Sequence, residues 1–188
     1  MEYEKKITLE GDLTAYINYR NVDRIYSLAC DMHGIKEMRS HRTWIYNLSS
    51  KKKISEIIEN KGEYILFEFK DKPIGLVCFS FRVSYRPLDN PGEIITMNEW
   101  EIGGLLIHKD YRRRGFSRPL FKLAIKRLRE KTGANKAYVI VTGTFNEISL
   151  NEARETSKGV EKLCKELDGR IIGYAKDSYG PVYELNIC

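Results

Sequence analysis

The chain has 188 residues, 42% of them hydrophobic and 31% charged, with a formal net charge of +6. A chain this long buries roughly 70% of its extended surface, so it needs neither disulfides nor a structural metal to hold a core. The composition excludes a disordered chain, and no apolar run reaches the length of a membrane span.

Asn21 reads as the cap of a first helix, with Val22, Ile25, Tyr26 and Ala29 on one face. A second, short helix over Lys51 to Asn60 carries Ile54, Ile57 and Ile58, with Lys51-Lys52-Lys53 solvated at its start and Gly62 past its end. Tyr64 to Phe69 and Ile74 to Phe81 read as two strands joined by a tight turn at Asp71-Lys72-Pro73. Ser84 to Gly92, with Pro87, Asn90 and Pro91, reads as a longer loop, and a third strand covers about Ile95 to His108. Leu120, Phe121, Ala124, Ile125 and Leu128 then repeat at helical spacing until Gly133.

Tyr138 to Val141 is a buried strand, and about Ser149 to Leu167 is a helix with the stripe Val160, Leu163, Cys164 and Leu167. Ile171 to Tyr174 and Val182 to Ile187 close the sheet through a turn around Tyr179-Gly180-Pro181. No repeat or linker interrupts this order, so residues 1–188 are expected to form a single domain. Its class is mixed α/β (α+β), a sheet flanked by helices.

The N-terminal residues lack the apolar stretch of a signal peptide, and a cytoplasmic location is expected. Cys30, Cys78, Cys164 and Cys188 have no paired spacing and read as free thiols of a reducing compartment. His33, His41 and His108 have no clustered partner, so no metal is expected. The positive charge fits nucleic acid, a phosphorylated ligand or simply a solvated surface.

Glu101 to Leu120, EIGGLLIHKDYRRRGFSRPL, is the most informative stretch. Leu105-Leu106-Ile107 empties through a short turn into Arg112-Arg113-Arg114-Gly115-Phe116-Ser117 and then a helix. The first N–H groups of a helix lack internal partners, so a strand, a small-residue turn and a helix start together make an anion cradle. Gly115 lets a phosphate approach the backbone, and the amides of Arg113 to Ser117 can face it. Arg112, Arg113, Arg114 and Arg118 can neutralise remaining charge at a solvent-exposed rim.

The order of elements, and above all Arg112-x-x-Gly115-x-Ser117 after a strand, resembles the acetyl-coenzyme A binding motif of the GNAT superfamily of N-acetyltransferases. The element order matches over roughly residues 62 to 187, the motif itself over Glu101 to about Leu128. The resemblance implies a mostly antiparallel sheet and acetyl-coenzyme A as the acyl donor. It also implies a bulged strand at Leu105, Leu106 and Ile107 along which the pantetheine arm lies. Gly103-Gly104 would permit that irregular backbone, or merely close packing. An unpaired N–H there could stabilise a developing oxyanion. Ser117 replaces the usual glycine or alanine, and Pro119 falls within the first helical turn; neither disrupts a cradle.

Acyl transfer needs a neutral amine, and an amine of pKa near 10.4 lies about 3.4 units, or about 4.6 kcal/mol, from neutrality at pH 7. Glu101 stands fourteen residues before Gly115, where the family resemblance implies a general base. Glu99 is the fallback by the period-two rule, and a solvated strand-edge charge is the plain alternative for both. The family's tyrosine acid has no counterpart, because residues 149 to 167 contain no tyrosine; Tyr174, Tyr179 and Cys164 are conceivable substitutes. Asn146 resembles a position that contacts the cofactor. Trp44, Tyr46, the Ser84 to Gly92 loop and Tyr179 could overhang an amine pocket or serve as ordinary core.

The expected activity is direct transfer of an acetyl group to an amine of a small molecule, protein or peptide. A larger acyl-coenzyme A, a non-catalytic coenzyme A sensor and a nucleic-acid module using Arg112 to Lys131 stand as alternatives. Membrane and nucleic-acid partners are not expected, and a homodimer is left open.

Overall fold

The computed structural model describes residues 3–9, 11–36, 46–141, 150–176 and 180–188, of which 46 and 150–157 are described by backbone alone. Asn146, Trp44, His41 and Tyr179 lie outside the described residues. An N-terminal strand pair absent from the expected elements comes first. Strand β1 (Lys5–Thr8) turns through Gly11 and Asp12 into β2 (Leu13–Ile17), whose Leu13, Ala15 and Ile17 are buried while Thr14 and Tyr16 are not.

Helix α1 (Val22–His33) starts as expected, with the Asn21 side chain accepting from the Arg24 amide at 2.8 Å, and Gly34 closes it. Ile25, Leu28, Ala29 and Met32 form its buried face. A 3₁₀ turn, Tyr46–Leu48, precedes α2 (Lys51–Glu59), which is capped by Ser50. The lysine run is not uniformly solvated. Lys51 and Lys52 are exposed, but Lys53 keeps only 23% of its side-chain exposure because α2 turns it towards the sheet.

Strands β3 (Glu63–Phe69) and β4 (Lys72–Pro87) form the expected hairpin. Its turn sits at Lys70-Asp71, both at positive φ, and Pro73 belongs to β4 beside a bulge where its missing N–H is not needed. The loop expected from Ser84 is shorter, since β4 continues to Pro87. Buried Val83 and Tyr85 carry the strand on, and its far end is paired on both edges, by β5 (Ile95–Ile107) and by β7 (Arg170–Ala175).

Helix α3 (Ser117–Thr132) buries Leu120, Phe121, Ala124 and Leu128 and ends at Gly133. Strand β6 (Lys136–Ile140), helix α4 (Leu150–Glu166) and strand β8 (Pro181–Asn186) complete the chain. The eight strands run in the order β1-β2-β3-β4-β5-β6-β8-β7, all neighbours antiparallel except β5 with β6. Because β7 also pairs with β4, the strands β4, β5, β6, β8 and β7 form a closed circuit of pairings around Val83, Tyr85, Tyr138 and Val182.

Two larger clusters cover the sheet. Ile65, Phe67, Val77 and Phe79 pack under α3 and α4, while Tyr64, Leu66, Leu76 and Cys78 pack under α1 and α2. Each fully buried side chain of this size contributes roughly 1.5–3 kcal/mol relative to exposure. One buried charge interrupts the apolar pattern. Glu63 is 0% exposed and is held by Arg127 Nε at 2.8 Å and Lys131 Nζ at 2.7 Å, both from α3. Arg127 also reaches Glu4 at 2.9 Å, which ties the N-terminus to the same helix.

Removing one member of such a network leaves its partners desolvated without compensation. Arg127 and Lys131 retain some solvent, so Glu63→Gln is expected to cost about 2 kcal/mol rather than the larger loss of a sealed pair. Urea denaturation measures this as a lower midpoint at an unchanged slope, and a loss below about 0.5 kcal/mol would contradict it.

Candidate active site

Strands β5 and β6 run parallel, yet among the described residues they share one register pair, Glu101 with Tyr138. Downstream, β5 remains paired to β4 and β6 to β8, so the facing edges of the two strands diverge into a wedge. At the same place the β4–β5 register slips. Cys78 faces Gly103 and Leu76 faces Leu106, which leaves one extra residue on β5. Gly104 takes φ +58°, and a Cβ there would lie 3.1 Å from Cys78 Sγ. The irregular backbone expected at Gly103-Gly104 is therefore a bulge, and it points Leu106 into the α1/α2 cluster while Leu105 and Ile107 pack on the opposite face.

From Ile107 the chain passes through a short 3₁₀ turn, Lys109–Tyr111, to α3. The His108 amide donates to Ile74 O at 2.8 Å, and its Nδ1 accepts from the Asp110 amide. Phe116 packs against Phe69 and Tyr111, with ring centroids 5.2 and 6.1 Å apart, so it anchors the turn from beneath. Arg113 and Gly115 both have positive φ, at 63° and 84°, and the space a Gly115 Cβ would enter is open. No side chain caps α3, and Arg118 N and Leu120 N are the first to donate back, to Gly115 O and Phe116 O. The first N–H groups of a helix have no acceptor within it, and no side chain of the turn takes that place here.

The four arginines divide. Arg112 donates through Nε to Ile107 O at 3.1 Å, bolting the turn to the end of β5, and burial lowers its pKa. Arg118 Nη2 lies 2.8 Å from both carboxylate oxygens of Glu166, joining α3 to α4. Arg114 lies over the Tyr111 ring at 5.3 Å. Arg113 is exposed and makes no such contact among the described residues. Ser117 opens α3 half-buried, and Pro119 sits within its first turn, where no N–H is missed.

Glu101 retains some surface as a residue, but its carboxyl turns back over Gly103 into the protein. A Cβ on Gly103 would lie 2.6 Å from Glu101 Oε1 and 2.5 Å from Asn47 Nδ2, so any larger residue there would displace the ends of these two side chains. Asn47 Nδ2 donates to Glu101 Oε1 at 3.4 Å. Burial pushes the Glu101 pKa up to about 7, partly offset by the Asn47 hydrogen bond and the charge of Lys53. Burial also raises the Cys78 thiol and the Tyr64 hydroxyl far above neutrality, so Glu101 is the group of this cluster that titrates near pH 7.

Glu99 is exposed beside a second register slip, outside this cluster. Cys164, on the inner face of α4, lies in the core with its pKa pushed up to about 12 by burial, and Tyr174 is an exposed residue of β7. The Tyr138 hydroxyl, next to Glu101 in register, donates to Glu184 at 3.0 Å. Asn47, Tyr64, Cys78 and Lys53 surround the Glu101 carboxyl with no signal in the sequence that would single them out. Among the described residues no group of three or more His, Cys, Asp or Glu could hold a metal, and no helix is long and apolar enough to cross a membrane.

The raised Glu101 pKa has a stability consequence. Between its ordinary value of 4.5 and about 7 the folded chain keeps a proton that the unfolded chain releases, so this residue costs stability as pH rises through that window. Glu101→Gln is therefore expected to gain stability relative to the parent as pH is raised, read from thermal melts at about pH 5 and about pH 8. Gly103→Ala should cost about 1–2 kcal/mol by overpacking and move the Glu101 carboxyl titration seen by ¹³C NMR.

Comparison with solved structures returns the same architecture. The spermidine N-acetyltransferase of Vibrio cholerae, solved with CoA and spermine, is 19% identical with a TM-score of 0.54, covering 93% of this chain and 94% of its own. The PaiA N-acetyltransferase of Thermoplasma acidophilum, solved with coenzyme A, is 15% identical at 0.56, covering 92% and 98%. Subunit AI of the Pseudomonas aeruginosa arginine/ornithine succinyltransferase is 6% identical at 0.65, covering 94% and 77%. At these identities the likeness is one of fold. No curated protein matches. The model of the acetyltransferase (GNAT) family matches residues 22–155, most of the chain, and this protein belongs to that family.

Proposed function

We propose that the chain is an N-acetyltransferase that moves an acetyl group from acetyl-coenzyme A directly to an amine acceptor, with Glu101 as general base. The observation that carries this reading is the position of the Glu101 carboxyl, of pKa about 7, where β5 and β6 begin to diverge. The same strand leads through its bulge to the uncapped start of α3. The turn suits a diphosphate, because Gly115 adds no side chain and α3 has no side-chain cap.

Acetyl-coenzyme A would supply an activated acyl thioester. The amides of Arg113 to Ser117 would hold its phosphates, with Arg113 and Arg114 at the rim; Arg112 and Arg118 would support the turn from Ile107 and Glu166. The free edge of Leu105, Leu106 and Ile107 would receive the extended arm, and an amide at the bulge would polarise the acyl oxygen. Glu101, about half ionised at pH 7, is matched to taking the proton of an attacking amine, directly or through one water. Asn146 is retained as a further cofactor contact on the family resemblance alone.

That two fold relatives are described with CoA bound, one of them with a polyamine, supports an amine acceptor and this donor. A nucleic-acid role for α3 is disfavoured by its own charges. Arg118, Lys126, Arg127 and Lys131 are each paired with a carboxylate, which reduces the charge this helix offers to a run of phosphates. The free thiols Cys30, Cys78, Cys164 and Cys188 fit a reducing cytoplasm.

Coenzyme A at one hundred times its Kd is expected to stabilise the chain by about 2.7 kcal/mol, and duplex DNA is not; Gly115→Val should abolish the shift. Thiol release from acetyl-coenzyme A over an amine and peptide panel should show a rate that rises with pH through about 7. Glu101→Gln should lower kcat/KM about 10²–10⁴-fold and erase that rise, while coenzyme A still stabilises the variant. A rate unchanged by this substitution would remove Glu101 from the mechanism.

A further inference from the structure

The cluster around Glu101 holds a polar group that the proton transfer itself does not use. Asn47 is 3% exposed, projects from the Tyr46–Leu48 turn and donates through Nδ2 to Glu101 Oε1. A carboxylate only accepts, so the amide must present its nitrogen. Its own main-chain carbonyl accepts from the hydroxyl of Tyr64, a fully buried residue of β3. Leu48, the next residue, is fully buried in the α1/α2 cluster and fixes the turn against the sheet. Gly103 leaves free the space in which the Glu101 carboxyl and the Asn47 amide meet.

We propose that Asn47 is a positioning residue which keeps the Glu101 carboxyl folded over Gly103, and that Tyr64 fixes Asn47 through its carbonyl oxygen. The inference rests on Glu101 acting as the base. A buried carboxyl without a donor would turn towards water, because leaving it unpaired costs more than rotating away. The amide counters that tendency without adding charge. The groups facing Glu101 from the other elements are Lys53 of α2, Cys78 of β4 and Tyr64 of β3. Of these only Lys53 favours the ionised form by charge, while the thiol and hydroxyl remain neutral and cannot replace the amide's orientation. A donor at 3.4 Å is long, and it leaves room to shorten as negative charge settles on Oε1.

The test uses the full chain with Asn47→Leu, Asn47→Asp and Tyr64→Phe, alongside Glu101→Gln. The Glu101 carboxyl is titrated by ¹³C NMR, and kcat/KM for acetyl-coenzyme A is followed against pH with an amine the parent turns over. Asn47→Leu is expected to release the carboxyl towards water, to lower its midpoint and the acid limb of the rate together by about one pH unit, and to lower kcat at pH 7 about tenfold. Tyr64→Phe should move both in the same direction by less, whereas Asn47→Asp, which sets a second carboxyl beside the first, should raise them. Stabilisation by coenzyme A should be unchanged throughout. A merely structural Asn47 would lower melting temperature and leave both midpoints in place, which overturns the proposal while Glu101→Gln still abolishes the rate. Full activity in Glu101→Gln would overturn the base and its positioning together. Should Asn47→Leu not fold, Tyr64→Phe, lacking one hydroxyl, decides by the same two midpoints.

Discussion

Backbone groups that lose a sheet partner must find another or face water, and beyond Glu101 one edge of β5 has lost β6. Everything distinctive about this protein lies along that edge. The strand cannot simply fray, because β4 pairs with it as far as Ile107. It kinks instead, at Gly103-Gly104, and the kink does two things at once. It offsets the register so that Leu105 and Ile107 face one core and Leu106 the other, and it opens the space into which Glu101 and Asn47 fold.

Several cations on and beside α3 are engaged within the protein. Arg127 and Lys131 neutralise the buried Glu63, Arg118 joins Glu166, and Arg112 serves a main-chain carbonyl. A net charge of +6 thus says less about partners than the whole-chain number implies. On α3 itself Lys122 and Arg129 stay exposed, and at the rim beside Gly115 Arg113 and Arg114 are exposed as well.

Legibility in the sequence followed the range of the interactions. Glu101 was a candidate base only through the family resemblance, which fixes a distance along one strand; the α3 start was readable because a glycine turn and a helix N-terminus are local signals. Helix stripes such as Leu120, Phe121, Ala124 and Leu128 were readable for the same reason. The β1–β2 hairpin carried a period-two signal in Leu13, Ala15 and Ile17, yet four and five residues give little for a pattern to stand on. The extension of β4 to Pro87 was hidden by its prolines and glycine, which suggest a loop; β7 pairing supplied what local propensity denied. Asn47 was invisible, because it meets Glu101 across 54 positions and a lone asparagine announces nothing. Lys53 was concealed within a run whose other two members are solvated.

The closed circuit of β4, β5, β6, β8 and β7 carries a mechanical consequence. Parallel strands parted at one end would ordinarily breathe, widening and narrowing with thermal motion. Here each of the two parted strands is held in a loop of pairings that returns through β7 to the far end of β4, so moving them apart would strain pairings elsewhere in the circuit. A slot tied down in this way would give up little of an occupant's interaction energy to straightening the host. Discrimination among occupants would then rest on their shape more than on adjustment by the sheet.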